Sequence, residues 1–217
     1  MPKFEVRVPP HGLPGTLSVP GNAGALVLFA HGSGSGRLSP RNTIVAEALN
    51  ARGIATLLFD LLSEAEEIDR ANVFEITLLA DRLTEAVNWA MADPRTAGLP
   101  LGLFGASTGA AAALKAAARL GPKVKAVVSR GGRPDLAWDD LGAVAAPTLL
   151  IVGGADETVL ELNAEAFGRL TGDKALKIVP GASHLFPEPG ALDEVIALSA
   201  RWFERYLMGN GDDGSAP

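Results

Sequence analysis

The chain has 217 residues, of which 47% are apolar and 20% are charged, and its formal net charge is −6. This length and composition predict a folded domain with its own core rather than a disordered chain. The chain contains no cysteine, which excludes disulfides, thiolate metal sites and a cysteine nucleophile. The acidic balance disfavours a nucleic-acid binder, whose phosphate contacts need clustered lysines and arginines.

The first ten residues, MPKFEVRVPP, lack the unbroken apolar stretch of a signal peptide. An alanine-rich stretch at 108–120 is interrupted by Lys115 and Arg119 and is shorter than the ~20 apolar residues of a membrane span. We therefore expect a cytoplasmic protein without a membrane or nucleic-acid partner.

Two short strands come first, and strands then alternate with helices. Continuous apolar runs predict strands covered on both faces, whereas apolar residues at three- and four-residue steps predict helices. The predicted strands are 4–8, 16–19, 25–30, 55–59, 101–104, 124–129, 148–152 and 175–179. The predicted helices are 41–52, 72–93, 108–120, 159–170 and 192–206. This order predicts an α/β fold with a mostly parallel sheet after an antiparallel start. We expect a single domain at 1–208 and a disordered tail at 209–217, where nothing can be buried.

The segment Gly105-Ala106-Ser107-Thr108-Gly109 follows an apolar strand and opens a helix. A serine on such a sharp turn is held in a strained conformation with its hydroxyl exposed, and small residues two positions before and after it make room. The positive end of the helix favours developing negative charge there. Ser107 is therefore the predicted nucleophile.

A serine nucleophile needs a base, and the chain contains three histidines. His184 follows the last strand and satisfies the chain order of serine, acid and histidine that an α/β-hydrolase uses. The predicted acid is Asp156, after the penultimate strand, with Glu157 and Asp135 as alternatives.

Acyl transfer also needs hydrogen-bond donors for the oxyanion. We expect the backbone N–H of Thr108 to be one donor and that of Ser33, in the loop His31-Gly32-Ser33-Gly34-Ser35-Gly36, to be the other. His31 is expected to support this loop rather than act as a base.

Four motifs together resemble the α/β-hydrolases of the dienelactone-hydrolase-like group: HGSGS at 31–35, GASTG at 105–109, GGADE at 153–157 and GASHLF at 181–186. The resemblance covers residues 4–207. The chain is also similar to domains that are found alone or fused to phosphoribosyltransferases. It implies an eight-stranded sheet with helices on both faces. Dienelactone hydrolases proper use a cysteine nucleophile, so Ser107 favours a serine esterase. The 18 residues between the strands ending at Ser129 and starting at Thr148 are too few for a lid domain.

The expected function is hydrolysis of a small-molecule carboxylic ester through an acyl-enzyme, without a cofactor or metal. Thioesterase, lactonase and acyltransferase activities need the same three residues and remain alternatives, as does a non-catalytic binder of small molecules. A dinucleotide site is disfavoured because Arg37 replaces the third glycine of G-x-G-x-x-G.

Four arginines follow strands at the predicted edge of the nucleophile: Arg37, Arg41, Arg130 and Arg133. Arginine binds carboxylate or phosphate through two parallel hydrogen bonds. These residues are therefore candidates for binding an anionic substrate. In the alternative interpretation, Arg130 pairs with Asp135, Asp60 or Glu64 and only braces the loops.

Overall fold

A computed structural model describes residues 1–209 of the chain. Eight strands form one sheet in the order β1-β2-β4-β3-β5-β6-β7-β8, in which β2 is antiparallel to both of its neighbours, β1 and β4, and the remaining pairs are parallel. The strands are β1 (Lys3–Val8), β2 (Leu13–Ser18), β3 (Ala25–Ala30), β4 (Ile54–Phe59), β5 (Leu101–Ala106), β6 (Val124–Arg130), β7 (Thr148–Gly153) and β8 (Lys174–Val179). The predicted α/β class and the mostly parallel eight-stranded sheet are confirmed.

Helices cover both faces of this sheet. They are α1 (Pro40–Asn50), α2 (Glu64–Glu67), α3 (Ile76–Ala92), α4 (Thr108–Leu120), α5 (Glu157–Arg169) and α6 (Ala191–Leu207). Buried residues of α3 and α4 share one apolar cluster with β5, and those of α1 and α6 share the cluster on the opposite face. Within residues 1–209, no helix combines the length and apolar character needed to cross a membrane.

The predicted bounds hold best where apolar runs end at strong stop signals. β3 and α4 have the predicted bounds, whereas β5 continues two residues beyond the prediction, to Ala106. β2 begins at Leu13, three residues early. Pro14 has no N–H to donate, but its carbonyl still takes part in the hydrogen bonding at this end of β2 by accepting the N–H of Asp60 at 3.0 Å. Most of the predicted tail, residues 210–217, lies outside the described residues.

The parallel strands β3, β5, β6, β7 and β8 all end at one edge of the sheet, so the loops that follow them meet there. Residues 131–147, between β6 and β7, form two short 3₁₀ helices (Pro134–Ala137 and Leu141–Ala143). That content agrees with the predicted lack of a lid domain at this position.

The sequence reading missed α2, which lies between β4 and α3. Ser63 caps this helix: its hydroxyl accepts the N–H of Glu66 at 3.3 Å, and the Glu66 carboxylate accepts the Ser63 N–H at 2.8 Å. Arg82 of α3 pairs with the same carboxylate at 2.7 Å. Arg82 also contacts His11, so the β1–β2 turn, α2 and α3 are tied together.

We predict that Glu66→Gln weakens the fold at neutral pH more than in acid. The Ser63 hydrogen bond, followed by Arg82, lowers the pKa of Glu66 from 4.5 to about 2. A carboxylate whose pKa is depressed by folding stabilises the protein above its unfolded pKa, and this contribution is lost as pH falls from 4.5 towards 2. Urea unfolding should therefore show that the variant has a lower free energy of unfolding than the parent at about pH 7, and that this difference is smaller at about pH 3. Glu64→Gln is the matched control, and a pH-independent difference would contradict the prediction.

Candidate active site

The turn between β5 and α4 holds Ser107 in a backbone conformation that non-glycine residues rarely adopt, with φ of 52°. Two hydrogen bonds fix it: the Ser107 N–H donates to the Arg130 carbonyl at 3.2 Å, and the Ser107 carbonyl accepts the Arg133 N–H at 3.1 Å. The serine is therefore anchored to the segment that follows β6. Its side chain stands at the edge where the parallel strands end.

Glycines make this turn sterically feasible. A Cβ on Gly105 would lie 2.6 Å from the Gly109 carbonyl oxygen, and a Cβ on Gly109 would collide with the carbonyl oxygens of Ala30 and His31. A Cβ on Gly32 would approach Ser107 Cβ to 3.0 Å. The β3 loop and the serine turn are therefore packed backbone to backbone.

Three of the predicted residues form a hydrogen-bonded chain. Asp156 Oδ2 lies 2.7 Å from His184 Nδ1, and His184 Nε2 lies 3.3 Å from Ser107 Oγ. The His184 side chain is 36% exposed and that of Asp156 is 16% exposed, so the imidazole is open to solvent while its carboxylate partner is sheltered. This arrangement fixes the tautomer with a proton on Nδ1 and leaves Nε2 free to accept the serine proton.

Packing between the β7 and β8 loops brings the acid and the histidine together. The N–H of Ala155, next to Asp156, donates to the Ala182 carbonyl at 2.9 Å. The Glu188 carboxylate, which the sequence reading did not single out, accepts the N–H of Ser183 at 3.0 Å. That bond ties down the loop that carries His184. Hydrogen bonding from Ser183, first from its side chain, lowers the pKa of Glu188.

The two alternative acids lie elsewhere in the hydrogen-bond network. Asp135 accepts two hydrogen bonds from Arg133, at 2.9 and 2.7 Å. Glu157 is the first residue of α5. Of the three candidates, Asp156 is the carboxylate that contacts His184.

The β3 loop lies against the serine turn. Ser33 N–H donates to the Thr108 hydroxyl at 2.9 Å, a side-chain contact that the sequence reading missed. The Thr108 N–H begins α4, where backbone donors have no partner inside the helix. The two predicted oxyanion donors therefore belong to residues in direct contact. In this structure the Ser33 N–H already has an acceptor, Thr108 Oγ1.

His31 supports this loop as expected. Its Nε2 accepts the Leu61 N–H at 3.1 Å and its Nδ1 lies 3.1 Å from the Gly32 carbonyl. Burial lowers the pKa of His31, which favours the neutral ring that this pair of bonds requires. The ring joins the β3 loop to the end of β4.

The four arginines differ in their partners. Arg37 pairs with Asp60 at 3.3 Å and with Glu5 at 3.5 Å, and Arg133 pairs with Asp135. The expected ion pairs of Arg130 with Asp135, Asp60 or Glu64 are not formed among the described residues. The Arg130 guanidinium is buried and makes no ion pair with a described residue. Asp135 and Asp60 are taken by Arg133 and Arg37 instead.

A cavity of about 1110 Å³ opens beside the β3 loop. The turn between β1 and β2, the start of α1 and the segment around α2 enclose it. Apolar side chains (Leu38, Leu62, Val73) line its wall together with side chains of both charges (Arg7, His11, Arg70, Asp60, Glu64, Glu67). Gly34 and Ser35 also line it, so the cavity adjoins the loop that carries Ser33, whereas Ser107 and His184 are not among its lining residues.

Residues 23–194 match the family model described as "Alpha/beta hydrolase domain". The chain belongs to the α/β-hydrolase family. A solved structure of a dienelactone hydrolase from Anabaena variabilis is 53% identical to this α/β-hydrolase, with a TM-score of 0.92 over 95% of this chain and 98% of that chain. The expected likeness to the dienelactone-hydrolase-like group is thereby confirmed.

A curated relative from Mycobacterium tuberculosis is 56% identical over 212 residues and is named "Putative phosphoribosyl transferase". The match covers 98% of this α/β-hydrolase but 48% of the relative, so the chain spans about half the length of the curated relatives it matches. Est1E from Butyrivibrio proteoclasticus shares the fold, with a TM-score of 0.81 at 16% identity over 96% of this chain and all of that one. Together the matches support a hydrolase.

We predict that Gly109→Ala destabilises the α/β-hydrolase by about 3 kcal/mol, because backbone atoms on the β3 loop cannot move away from a new Cβ. Gly168→Ala is the matched control, since Gly168 also lies in a helix but has open space around its Cα. That change should stabilise the protein by up to about 1 kcal/mol. Equal free energies of unfolding for the two variants in urea would contradict the packing of the turn.

Proposed function

We propose that this α/β-hydrolase is a serine hydrolase that cleaves small carboxylic esters through a Ser107–His184–Asp156 triad and an acyl-enzyme. The observation that carries the proposal is the continuous hydrogen-bonded chain from Asp156 Oδ2 through His184 to Ser107 Oγ, at 2.7 and 3.3 Å. Its members come from three separate loops, and a purely structural network would not require the strained backbone of the serine.

In the proposed reaction, His184 Nε2 takes the hydroxyl proton as Ser107 Oγ attacks the ester carbonyl carbon. The carbonyl π bond opens and its electrons form an oxyanion, which accepts hydrogen bonds from the Thr108 and Ser33 amides. To donate to the oxyanion, the Ser33 N–H gives up its hydrogen bond to the Thr108 hydroxyl. The carbonyl reforms as the alkoxide leaves, protonated by the imidazolium. His184 then takes a proton from a water molecule as the water oxygen attacks the acyl carbon, and the resulting tetrahedral intermediate collapses with cleavage of the bond to Ser107 Oγ. The imidazolium returns the proton to Ser107 Oγ, and the acid is released.

Lactone hydrolysis is the second candidate, because the 53% identical relative from Anabaena variabilis is named a dienelactone hydrolase. A lactone is a cyclic ester, so the same steps apply and the released alcohol stays on the acyl group. Thioester hydrolysis and acyl transfer also use this chemistry. The transferase name of the mycobacterial relative describes a protein of about twice this length.

We expect Ser107→Ala to lower kcat for 4-nitrophenyl acetate by roughly 10⁴–10⁶-fold without unfolding the protein, since no acyl-enzyme can form. His184→Ala should cause a similar loss. Mass spectrometry should find a fluorophosphonate adduct on Ser107 in the parent protein and none in Ser107→Ala. If the folded parent is not labelled, or if its labelling does not increase with time, the protein would instead be a non-catalytic binder of small molecules.

Asp156→Asn should lower kcat by up to ~10⁴-fold, because an amide permits the wrong tautomer of His184 while keeping the shape of the side chain. Glu157→Gln is the matched control in the adjacent position, and Asp135→Asn tests the other alternative acid. Both should retain kcat within about tenfold of the parent. A larger loss in either control than in Asp156→Asn would contradict the assignment of the acid.

A further inference from the structure

Arg130 is an arginine whose charge the protein buries without neutralising it. The residue is 6% exposed, and its Nε and Nη1 atoms have no hydrogen-bond acceptor among the described residues. Buried guanidinium groups are normally paired with a carboxylate, because an unpaired buried charge is costly. Burial and the positive charge of Arg41 lower the pKa of Arg130 to about 10, so it stays protonated at neutral pH.

The position of Arg130 relates it to the reacting atoms. It ends β6 and pairs in register with Ala106, directly before the proposed nucleophile. Its carbonyl accepts the Ser107 N–H at 3.2 Å. The next residue, Gly131, approaches His184 so closely that a Cβ there would lie 3.6 Å from His184 Cε1. The backbone of Arg130 therefore lies beside the serine of the proposed triad and one residue from the segment that contacts its histidine.

Side-chain alternation along β6 indicates which way Arg130 points. Ser129 faces α4, because a Cβ on Gly132 would meet both the Ser129 hydroxyl and the Ala110 methyl group. Arg130 must therefore point to the other face of the sheet, where α1 and α6 lie. Arg41 is the second residue of α1 on that face, and its positive charge adds to the effect of burial in lowering the pKa of Arg130.

Two features keep this location positive. The first turn of α1 contains no acidic residue, and the positive end of the helix dipole lies there. Asp60 and Asp135, two of the carboxylates expected to pair with Arg130, pair with Arg37 and Arg133 instead. Arg130 has no carboxylate partner among the described residues, and an incoming anion would stabilise its charge through charge-assisted hydrogen bonds.

We propose that Arg130, assisted by Arg41, binds an anionic group of the substrate beside Ser107, which makes esters with a free carboxylate or phosphate the preferred substrate class. The inference rests on the proposed ester hydrolysis for its kinetic meaning. The anion site itself rests on the burial and missing partners of Arg130. Arg37 and Arg133 are braces rather than substrate ligands, since each already holds a carboxylate.

The kinetic test compares 4-nitrophenyl butyrate with 4-nitrophenyl hemisuccinate, which have the same leaving group and acyl chains of similar length. Arg130→Met removes the charge at similar length, Arg130→Lys keeps a charge, and Arg119→Gln is the control at an exposed arginine paired with Asp81. We expect Arg130→Met to lower kcat/KM for the hemisuccinate about 10–100-fold and for the butyrate less than threefold. Arg130→Lys should recover part of the loss.

A binding test uses the Ser107→Ala protein, which cannot form an acyl-enzyme, with succinate and inorganic phosphate as probes. Titration calorimetry should detect one or both anions, and Arg130→Met in the same background should abolish that binding. The probe that binds with the higher affinity indicates whether the anionic group of the substrate is a carboxylate or a phosphate. Arg130→Met should also leave the melting temperature unchanged or raise it, because it removes an unpaired buried charge, whereas loss of a structural brace would lower it.

The outcomes separate this inference from the proposed function. If the neutral ester is cleaved but neither anion binding nor the hemisuccinate preference depends on Arg130, the anion site is overturned. If neither ester is cleaved while succinate or phosphate binding depends on Arg130, the anion site stands and the ester hydrolase proposal fails. Equal losses for both esters with a lowered melting temperature would make Arg130 a structural residue and overturn the inference.

Discussion

The sharp turn between β5 and α4 is the constraint on which the rest of the site depends. A buried parallel strand must reverse into a helix within one residue, and Ser107 accommodates this by adopting φ of 52°. Such strain persists when the surroundings over-determine it. Here the hydrogen bonds to Arg130 and Arg133 and the contacts of Gly109 with the β3 loop hold the residue from both sides.

This constraint also explains why distant segments of the chain converge. The turn needs close neighbours, and the loops after β3 and β6 supply them because parallel strands end at the same edge. The loops after β7 and β8 pack on each other at that edge, where a Cβ on Gly153 would collide with the Ala182 carbonyl. Asp156 and His184 are thereby delivered to the serine by the topology of the sheet.

Much of the fold and of this constellation could be predicted from sequence, because the relevant signals are local. The apolar run of β3 and the glycine-proline stop after α4 specify those elements within the chain itself. The strand–turn–helix context of Ser107 and the order of Ser107, Asp156 and His184 likewise depend on local patterns plus one rule of topology. The short helix α2 was missed because four residues with three glutamates have no apolar periodicity, and its stability comes from Ser63 and Arg82.

The local sequence pattern could not predict which carboxylate each arginine pairs with. Arg37, Arg130 and Arg133 all lie at the edge where the parallel strands end, yet Arg37 reaches Asp60, Arg133 reaches Asp135 and Arg130 reaches neither. The difference arises from strand pleat, because Arg130 lies inside β6 and points to one face of the sheet while Arg133 lies beyond its end.

The contact between Ser33 and Thr108 places a second condition on the site. An amide donor left without an acceptor in a partly buried position costs about 1–3 kcal/mol, and the Thr108 hydroxyl avoids that cost when no oxyanion is present. The proposed oxyanion must therefore bind better than a neutral hydroxyl to take this donor. A negatively charged acceptor does so, since charge-assisted hydrogen bonds are about twice as strong as neutral ones. A ground-state ester carbonyl, being neutral, gains no such advantage, so Thr108 makes the Ser33 donor selective for the charge that develops in the transition state.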